Sequence, residues 1–200
     1  MTYQGEPAHH LLVLWKGQAR YFYETLEDKK LILKWISPGH VFGGAALVSE
    51  PSRYLVSTEA VRDSIVMEWD ASTIRNLAQR FPRLLENTHS IDMEYVSWYV
   101  SAYAALASQS ARKRLASVLF GLSITVGQKV AGGIEIDVTN GELADSANIT
   151  RYTASRLVNE WQRSATIRKS RGKILLLSPE RLLGRSERSF QQTGAARKSK

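Results

Sequence analysis

Apolar and polar residues alternate in short runs over the first third of the chain. Such alternation predicts strands, because successive side chains of a strand point to opposite faces. Turn residues separate the runs, as at Ser37-Pro38-Gly39. The predicted strands are 11–15, 19–24, 31–36, 54–60 and 64–69. Many short strands at regular spacing predict an antiparallel β-roll or barrel over residues 1–72.

The spacing becomes helical after residue 72, with one proline near a helix break. From Leu84 to Ala105 apolar residues return at alternating steps of four and three, which is a heptad pattern. We therefore expect a long helix within residues 73–108 that pairs with the same helix of a second chain. The predicted dimer seam consists of Leu84, Ile91, Tyr95, Trp98 and Ala102. A helix that packs only on its own domain is the alternative interpretation.

Two further helices joined by a tight turn are predicted from Thr139 onward. Thr139 and Glu142 have the spacing of a capping box, and Thr150 can cap the second helix. Asn148 falls at the turn, where asparagine tolerates a left-handed backbone. This pattern predicts a helix-turn-helix, although an ordinary pair of packed helices would share it.

The second of these helices has two different faces. One face carries an apolar stripe at helical spacing, formed by Ala154, Leu157, Val158 and Trp161. The other face carries polar side chains, and we assign base reading to Arg151, Tyr152, Ser155 and Arg156. A helix with this layout is typical of major-groove recognition.

A short basic hairpin follows the second helix. An extended piece starts at Ile167, turn residues occupy 170–173, and an apolar strand follows to Leu177. Four cations lie near the tip, which predicts a wing that contacts DNA phosphates and completes a winged helix-turn-helix domain over 109–183. The predicted phosphate contacts are Thr139, Thr150, Lys169, Arg171 and Lys173.

The distribution of charge supports this interpretation. The 200-residue chain carries a formal net charge of +8. Residues 137–200 hold 13 Lys and Arg against 6 Asp and Glu, whereas residues 1–136 hold 14 against 13. A basic third attached to a nearly neutral remainder fits double-stranded DNA as a partner. Residues 184–200 are polar, basic and aperiodic, so we predict a disordered tail.

The composition also excludes several kinds of chemistry. The chain has no cysteine, which rules out disulfides and cysteine-ligated iron–sulfur clusters. No apolar run is long enough to cross a bilayer, and the first residues lack the pattern of a signal peptide. We expect a soluble, cytoplasmic protein without a membrane partner.

Roll, long helix and winged helix in this order resemble the cyclic-AMP receptor / fumarate–nitrate regulator (Crp/Fnr) family of bacterial transcription factors. The matching segments are QGEPAHHLLVLWKGQARYFY, SPGHVFGG, SARKRLASVL, ELADSANITRYTASRLV and the basic wing. The resemblance implies an α+β protein with a cyclic-nucleotide-binding-like roll, a dimerisation helix and a winged helix-turn-helix. It also implies a homodimer that regulates transcription with RNA polymerase as a partner. Since the family's roll has further strands before the QGEPA turn, we expect a roll shortened at its start.

The resemblance also locates an effector site in the roll. Cyclic-nucleotide binders of the family have a glutamate after Phe-Gly, but this chain reads Phe42-Gly43-Gly44. Arg53 lies near the position of the family's phosphate-binding arginine, and Tyr54 follows it where a small hydroxyl residue is usual. These departures argue against a cyclic-AMP site. Backbone N–H groups around Gly43 and Gly44 could still receive an anion, so another small effector stays open, with Arg53 as a candidate contact.

Small β-rolls also host metal-dependent enzymes of the cupin class, or bind ligands beside a basic accessory domain. Cupin chemistry needs several histidines and a carboxylate that converge on one ion. Of the four histidines, His9 and His10 are adjacent and point to opposite faces of a strand, and no His-x-His pair exists. Haem ligation by His40 is conceivable, although a lone histidine is more often structural. Because the histidines do not form such a set, we expect no enzyme. A module that binds RNA or membranes is a third possibility, but such binding would need no ordered recognition helix.

Overall fold

The computed structural model of the protein describes residues 1–47 and 52–183. The chain forms two compact units, of which the first ends at Gln109 and the second begins at Ser110. The predicted tail, 184–200, lies outside the described residues.

In the first unit, the described residues form a roll of six strands. They are β1 (His10–Lys16), β2 (Ala19–Glu24), β3 (Lys30–Ile36), β4 (Val41–Phe42), β5 (Ser57–Ala60) and β6 (Ile65–Asp70). They build two antiparallel sheets of three strands, with the orders β4-β1-β6 and β3-β2-β5. A short 3-10 helix, Gly44–Leu47, follows β4. The antiparallel roll predicted from alternation is confirmed.

The inward residues of both sheets share one core. Its buried members are Leu12, Leu14, Ala19, Tyr21, Ile36 and Phe42. One predicted strand begins later than expected, since β5 starts at Ser57 and not at residue 54. Tyr54 instead turns inward, where its hydroxyl accepts from the His10 N–H and donates to the His10 carbonyl, both at 3.0 Å.

The roll is followed by the helices α1 (Ala71–Arg80) and α2 (Arg83–Ser108). Pro82 lies between them, because proline has no backbone N–H to donate within a helix. The long helix α2 is therefore present as predicted. It carries two apolar faces, and these have different surroundings.

One face of α2 packs on the roll through Tyr95. The Tyr95 hydroxyl donates to the Val41 carbonyl at 3.0 Å and lies 3.2 Å from the Tyr21 hydroxyl, which must then be the donor to it. The two rings meet edge to face, and the Lys34 ammonium lies 4.3 Å from the centre of the Tyr95 ring. Tyr95 is thus partly buried and packs against the core of its own roll. This contact competes with the predicted role of Tyr95 in a seam between chains, which stays a prediction.

The other predicted seam residues share the face of Tyr95. Leu84, Ile91, Trp98 and Ala102 are half-buried within the single chain. The second apolar face is exposed and consists of Leu85, Met93, Val96, Val100 and Tyr103. A heptad pattern shows that a helix has an apolar stripe, but it does not show what covers the stripe. Here Tyr95 meets the roll, and the mainly aliphatic face is exposed.

In the second unit, residues 110–183 form four helices and one four-stranded sheet. The helices are α3 (Ala111–Thr125), α4 (Asn140–Ala147), α5 (Arg151–Arg163) and α6 (Pro179–Leu183). The strands are β7 (Gln128–Val130), β8 (Gly133–Asp137), β9 (Ile167–Ser170) and β10 (Lys173–Leu176), in the order β7-β8-β10-β9. The winged helix-turn-helix is confirmed. Strands β7 and β8 were not predicted. No helix in the described ranges is long and apolar enough to span a bilayer.

The tyrosine pair between roll and α2 should make the protein sensitive to alkali. Burial raises the pKa of Tyr21 well above its ordinary value, and Tyr95 adds to the shift. Burial also raises the pKa of Tyr95, although the hydrogen bond that Tyr95 accepts from Tyr21 lowers this pKa in part. A group with a raised native pKa stabilises the fold below its unfolded pKa and loses this effect as the pH rises toward the native value. We therefore expect the free energy of unfolding to fall above about pH 10.

Urea unfolding of wild type and Tyr21→Phe at about pH 8 and about pH 11 tests this expectation. The variant should lose less stability than wild type between the two pH values. Burial lowers the pKa of Lys34 and acts in the opposite direction, but it is common to both proteins. Equal losses in the two proteins would contradict the role given to Tyr21.

Candidate nucleic-acid interface

Helix α4 begins and ends as its sequence predicts. The Thr139 hydroxyl accepts from the Glu142 N–H at 3.2 Å, and the Glu142 carboxylate accepts from the Thr139 N–H at 2.8 Å. This reciprocal pair is the predicted capping box. The helix stops at Asn148, whose φ of 48° lies in the left-handed region. The chain then turns directly into α5.

Helix α5 is fixed in rotation by its buried stripe. Its cap is Thr150, whose hydroxyl accepts from the Thr153 N–H at 3.1 Å. All four predicted stripe residues are buried: Ala154, Leu157, Val158 and Trp161. Because a helix that buries one side must present the other, the face with Arg151, Tyr152 and Arg156 points outward. Ser155 lies at the margin of this face and is half-buried.

The four predicted base-reading residues therefore come together on one helix face. Tyr152 is 79% exposed. Arg151 lies back over the first turn of α4, since a Cβ placed on Gly141 would be 3.6 Å from its Nε. The Arg151 side chain thus reaches from α5 to the start of α4. An exposed aromatic ring between exposed guanidinium groups has little to stabilise it in the free protein, but it suits contact with base edges.

The hairpin of β9 and β10 forms the predicted wing. Its strands pair from Lys173 with Ser170 to Leu176 with Ile167, and Gly172 in the turn has a φ of 71°. Arg168, Lys169 and Arg171 are exposed. Lys173 is different, because its ammonium lies 2.6 Å from Glu135 Oε1 and 3.5 Å from Asp137 Oδ1. A phosphate at Lys173 would compete with these carboxylates.

The two capping threonines have similar competition. The Thr139 hydroxyl donates to the Glu142 carboxylate at 2.9 Å, and the Thr150 and Thr153 hydroxyls are hydrogen-bonded at 2.9 Å. Their side chains therefore already serve the helix ends. Phosphate contact by Thr139, Thr150 and Lys173 stays a prediction.

Within residues 1–47 and 52–183, each of the three residues predicted for an effector site has a neighbour of its own. The exposed Arg53 guanidinium donates to the Gly5 carbonyl and so holds the turn before β1. Gly43 has a φ of 77° and lies so close to the roll that a Cβ there would be 2.5 Å from the His10 carbonyl. A Cβ on Gly44 would be 3.8 Å from the Asp92 carboxylate of α2. A carboxylate beside Gly44 repels the anion that its backbone was predicted to bind.

Sequence reasoning missed the contacts that α3 makes with α5. The Arg112 guanidinium of α3 lies 2.7 Å from Glu160 Oε1 and 5.6 Å from the centre of the Trp161 ring. The amphipathic pattern of residues 112–122 predicts α3 itself, but the partners of Arg112 on α5 are distant in sequence. In the described parts of the chain, no three His, Asp or Glu residues form a group that could hold a metal ion.

A two-sheet roll with a long helix, followed by a winged helix-turn-helix with an outward basic face, defines the class of DNA-binding transcription regulators with an effector-type domain. Two family models match the two units. The cyclic nucleotide-binding domain matches residues 2–81, and the Crp-like helix-turn-helix domain matches residues 113–185. The chain belongs to the Crp/Fnr family.

One sequence relative and two solved structures support this assignment. The transcriptional regulator LdrP of Thermus thermophilus is 28% identical over 186 residues, which cover 87% of this chain and 86% of LdrP. The crystal structure of a CRP/FNR-family transcriptional regulator from Thermus thermophilus is 25% identical, with a TM-score of 0.78 and 91% of each chain covered. The structure of FixK2 from Bradyrhizobium japonicum shares the fold at 18% identity, with a TM-score of 0.78 and coverage of 91% and 89%. The chain is thus a transcriptional regulator and not an enzyme of the cupin class.

Proposed function

We propose that this protein is a homodimeric, sequence-specific transcription regulator that places α5 in the major groove of double-stranded DNA. One observation carries the proposal: the exposed face of a rigidly packed helix joins two arginines and a tyrosine beside a basic hairpin. A merely solvated helix would not need the capping box, the left-handed turn and the buried stripe that fix this face. Such an arrangement is the one that known helix-turn-helix proteins use for base reading.

Base reading and phosphate binding fall to different residues. Arg151 and Arg156 can each donate two hydrogen bonds to a guanine edge, while Ser155 can bond to any base. Lys169 and Arg171 at the wing have no carboxylate partner among the described contacts and are suited to phosphates. Thr139, Thr150 and Lys173 would contribute less, since each would first have to leave the contact it makes in the free protein. Phosphate contacts fix the position of the protein but carry no sequence information.

The exposed apolar face of α2 supports a homodimer. Val96 and Val100 lie one turn apart on it, and Tyr103, 75% exposed, continues the face. Removing apolar surface from water stabilises an association by about 25 cal/mol per Å². A second copy of α2 is the partner that offers the same stripe. We therefore propose a dimer through Met93, Val96, Val100 and Tyr103 in place of the Tyr95 face.

Control by a small effector in the roll is a further part of the proposal. Asp92 beside Gly44 and the engagement of Arg53 with Gly5 both disfavour a phosphate group there. An effector of this roll would accordingly be uncharged or cationic. A regulator of this family works on chromosomal DNA, so we also propose the cytoplasm as its location and RNA polymerase as its partner.

Substitution on the exposed face of α2 should separate the protomers. We expect Val100→Glu to sediment as a monomer, because two carboxylates would be buried against each other in the dimer. Specific DNA binding should fall with it, since one protomer contacts only one half-site. Sedimentation equilibrium and gel-shift titration measure the two effects.

Ser101→Glu is the matched control, since Ser101 is the next residue and lies outside the stripe with its side chain exposed. This variant should remain dimeric and bind DNA as wild type does. A dimeric Val100→Glu protein would refute the assignment of the interface to this face.

Tyr152 should give this regulator a base preference of its own. Many members of the family have a glutamate where this chain has Tyr152, and a carboxylate accepts a hydrogen bond from cytosine N4. A phenol offers instead an apolar ring that can contact a thymine methyl group. We expect Tyr152→Glu to gain a preference of about 1–3 kcal/mol for C·G at one symmetric position.

Selection of binding sites from random duplexes, with wild type and Tyr152→Glu in parallel, measures this preference and tests the proposed function. Wild type should select a two-fold repeat whose half-sites lie one helical turn, about 34 Å, apart. Enrichment of no common sequence by wild type would contradict the proposed function. Identical sites for the two proteins would instead show that Tyr152 only packs or contacts the backbone.

A further inference from the structure

The turn between α4 and α5 leaves carbonyl groups that no helical N–H can reach. The N–H groups of Asn148 and Ile149 both donate to the Ala144 carbonyl, the second at 3.0 Å. The carbonyls of Ala147 and Asn148 come after the last helical bond, so they need partners from elsewhere. A turn whose carbonyls lack partners is free to change its backbone angles, and α5 would change direction with it.

Arg114 of α3 supplies both partners. Its Nε donates to the Ala147 carbonyl at 3.0 Å, and its Nη2 donates to the Asn148 carbonyl at 3.2 Å. The side chain is half-buried. A guanidinium has its donors in a rigid fork, so one residue can bind two adjacent carbonyls in a fixed geometry. A cation at the carboxyl end of α4 is also favoured by the helix dipole.

The same stretch of α3 holds the other end of the recognition helix. Arg112, two residues before Arg114, pairs with Glu160 and lies over Trp161 near the end of α5. One side chain thus fixes the turn that leads into α5, and the other fixes its last turns. Two points of attachment define the direction of a helix, whereas its buried stripe defines its rotation.

We propose that Arg114 is a positioning residue for DNA recognition, which fixes the direction of α5 through the Ala147 and Asn148 carbonyls without contacting DNA. The proposal rests on the DNA-binding function proposed above. It assigns one of the basic residues of this unit to protein geometry and not to phosphate binding. Reading a base edge depends on the direction of α5, but attraction to the phosphates depends on it far less.

Binding to the selected site and to an unrelated duplex, each at several salt concentrations, tests the proposal. Arg114→Lys keeps the charge, but a single ammonium cannot reproduce the planar fork. Loss of hydrogen bonds from a charged group of this kind corresponds to about tenfold or more in an equilibrium constant. We therefore expect the ratio of specific to non-specific affinity to fall about tenfold, while non-specific affinity and the salt slope remain those of wild type.

Lys113→Gln is the matched control, because Lys113 is the neighbouring cation on α3 and is exposed. It should leave the specificity ratio unchanged. An unchanged ratio for Arg114→Lys would overturn the proposal. A uniform loss of affinity with a smaller salt slope in Arg114→Gln would also overturn it, because that is the behaviour of a phosphate contact. If wild type prefers no duplex, the proposed function itself fails.

A measurement on wild type tests the cap directly, even if the variants do not fold. The Arg114 Nε–H should exchange slowly with solvent in nuclear magnetic resonance spectra, since it is bonded to a carbonyl. Exchange as fast as that of the exposed Arg156 would show that the cap does not persist, and the proposal would be wrong.

Discussion

The packing of α5 on the rest of the second unit is the constraint on which the proposed function depends. The stripe from Ala154 to Trp161 is buried, and α5 cannot rotate about its axis without exposing Trp161 or burying Arg156. Burying an unpaired guanidinium is far more costly than leaving it in water. The orientation of the outward-facing residues is therefore set by the helix as a whole and not by each residue separately. It follows from the requirement that the apolar side of the helix stay dry.

A related constraint acts on α2 in the first unit. The helix must cover part of the roll, and the Tyr95 hydroxyl bonded to Val41 and Tyr21 fixes which side does so. Because Tyr95 faces the roll, the other side of α2, which carries Val96 and Val100, faces away from it and is exposed. The roll therefore determines the face that α2 can offer to a second protomer. This gives the roll a structural influence on the proposed dimer whether or not it binds an effector.

Local signals made most of the second unit predictable from sequence. The cap at Thr139, the left-handed residue Asn148 and the stripe of α5 depend on neighbours within a few positions. Strand β7 escaped prediction because its three residues are all exposed and show no alternation. The partner of Tyr95 could not be predicted, since Tyr21 lies 74 positions away and either apolar face of α2 could meet the roll. The engagements of Arg53 with Gly5 and Lys173 with Glu135 are equally non-local, and both change what those cations can bind.

Central to this account is the neutralisation of DNA phosphates by the exposed cations of the wing, Lys169 and Arg171. Its most direct test is the affinity of the dimer for its selected duplex over a range of salt concentrations. The account predicts a steep negative slope of log affinity against log salt. Lys169→Ala should reduce the slope by about 1.8, which is 0.9 for each of two copies, and Lys173→Ala by less. A slope near zero, or one that Lys169→Ala leaves unchanged, would contradict the account.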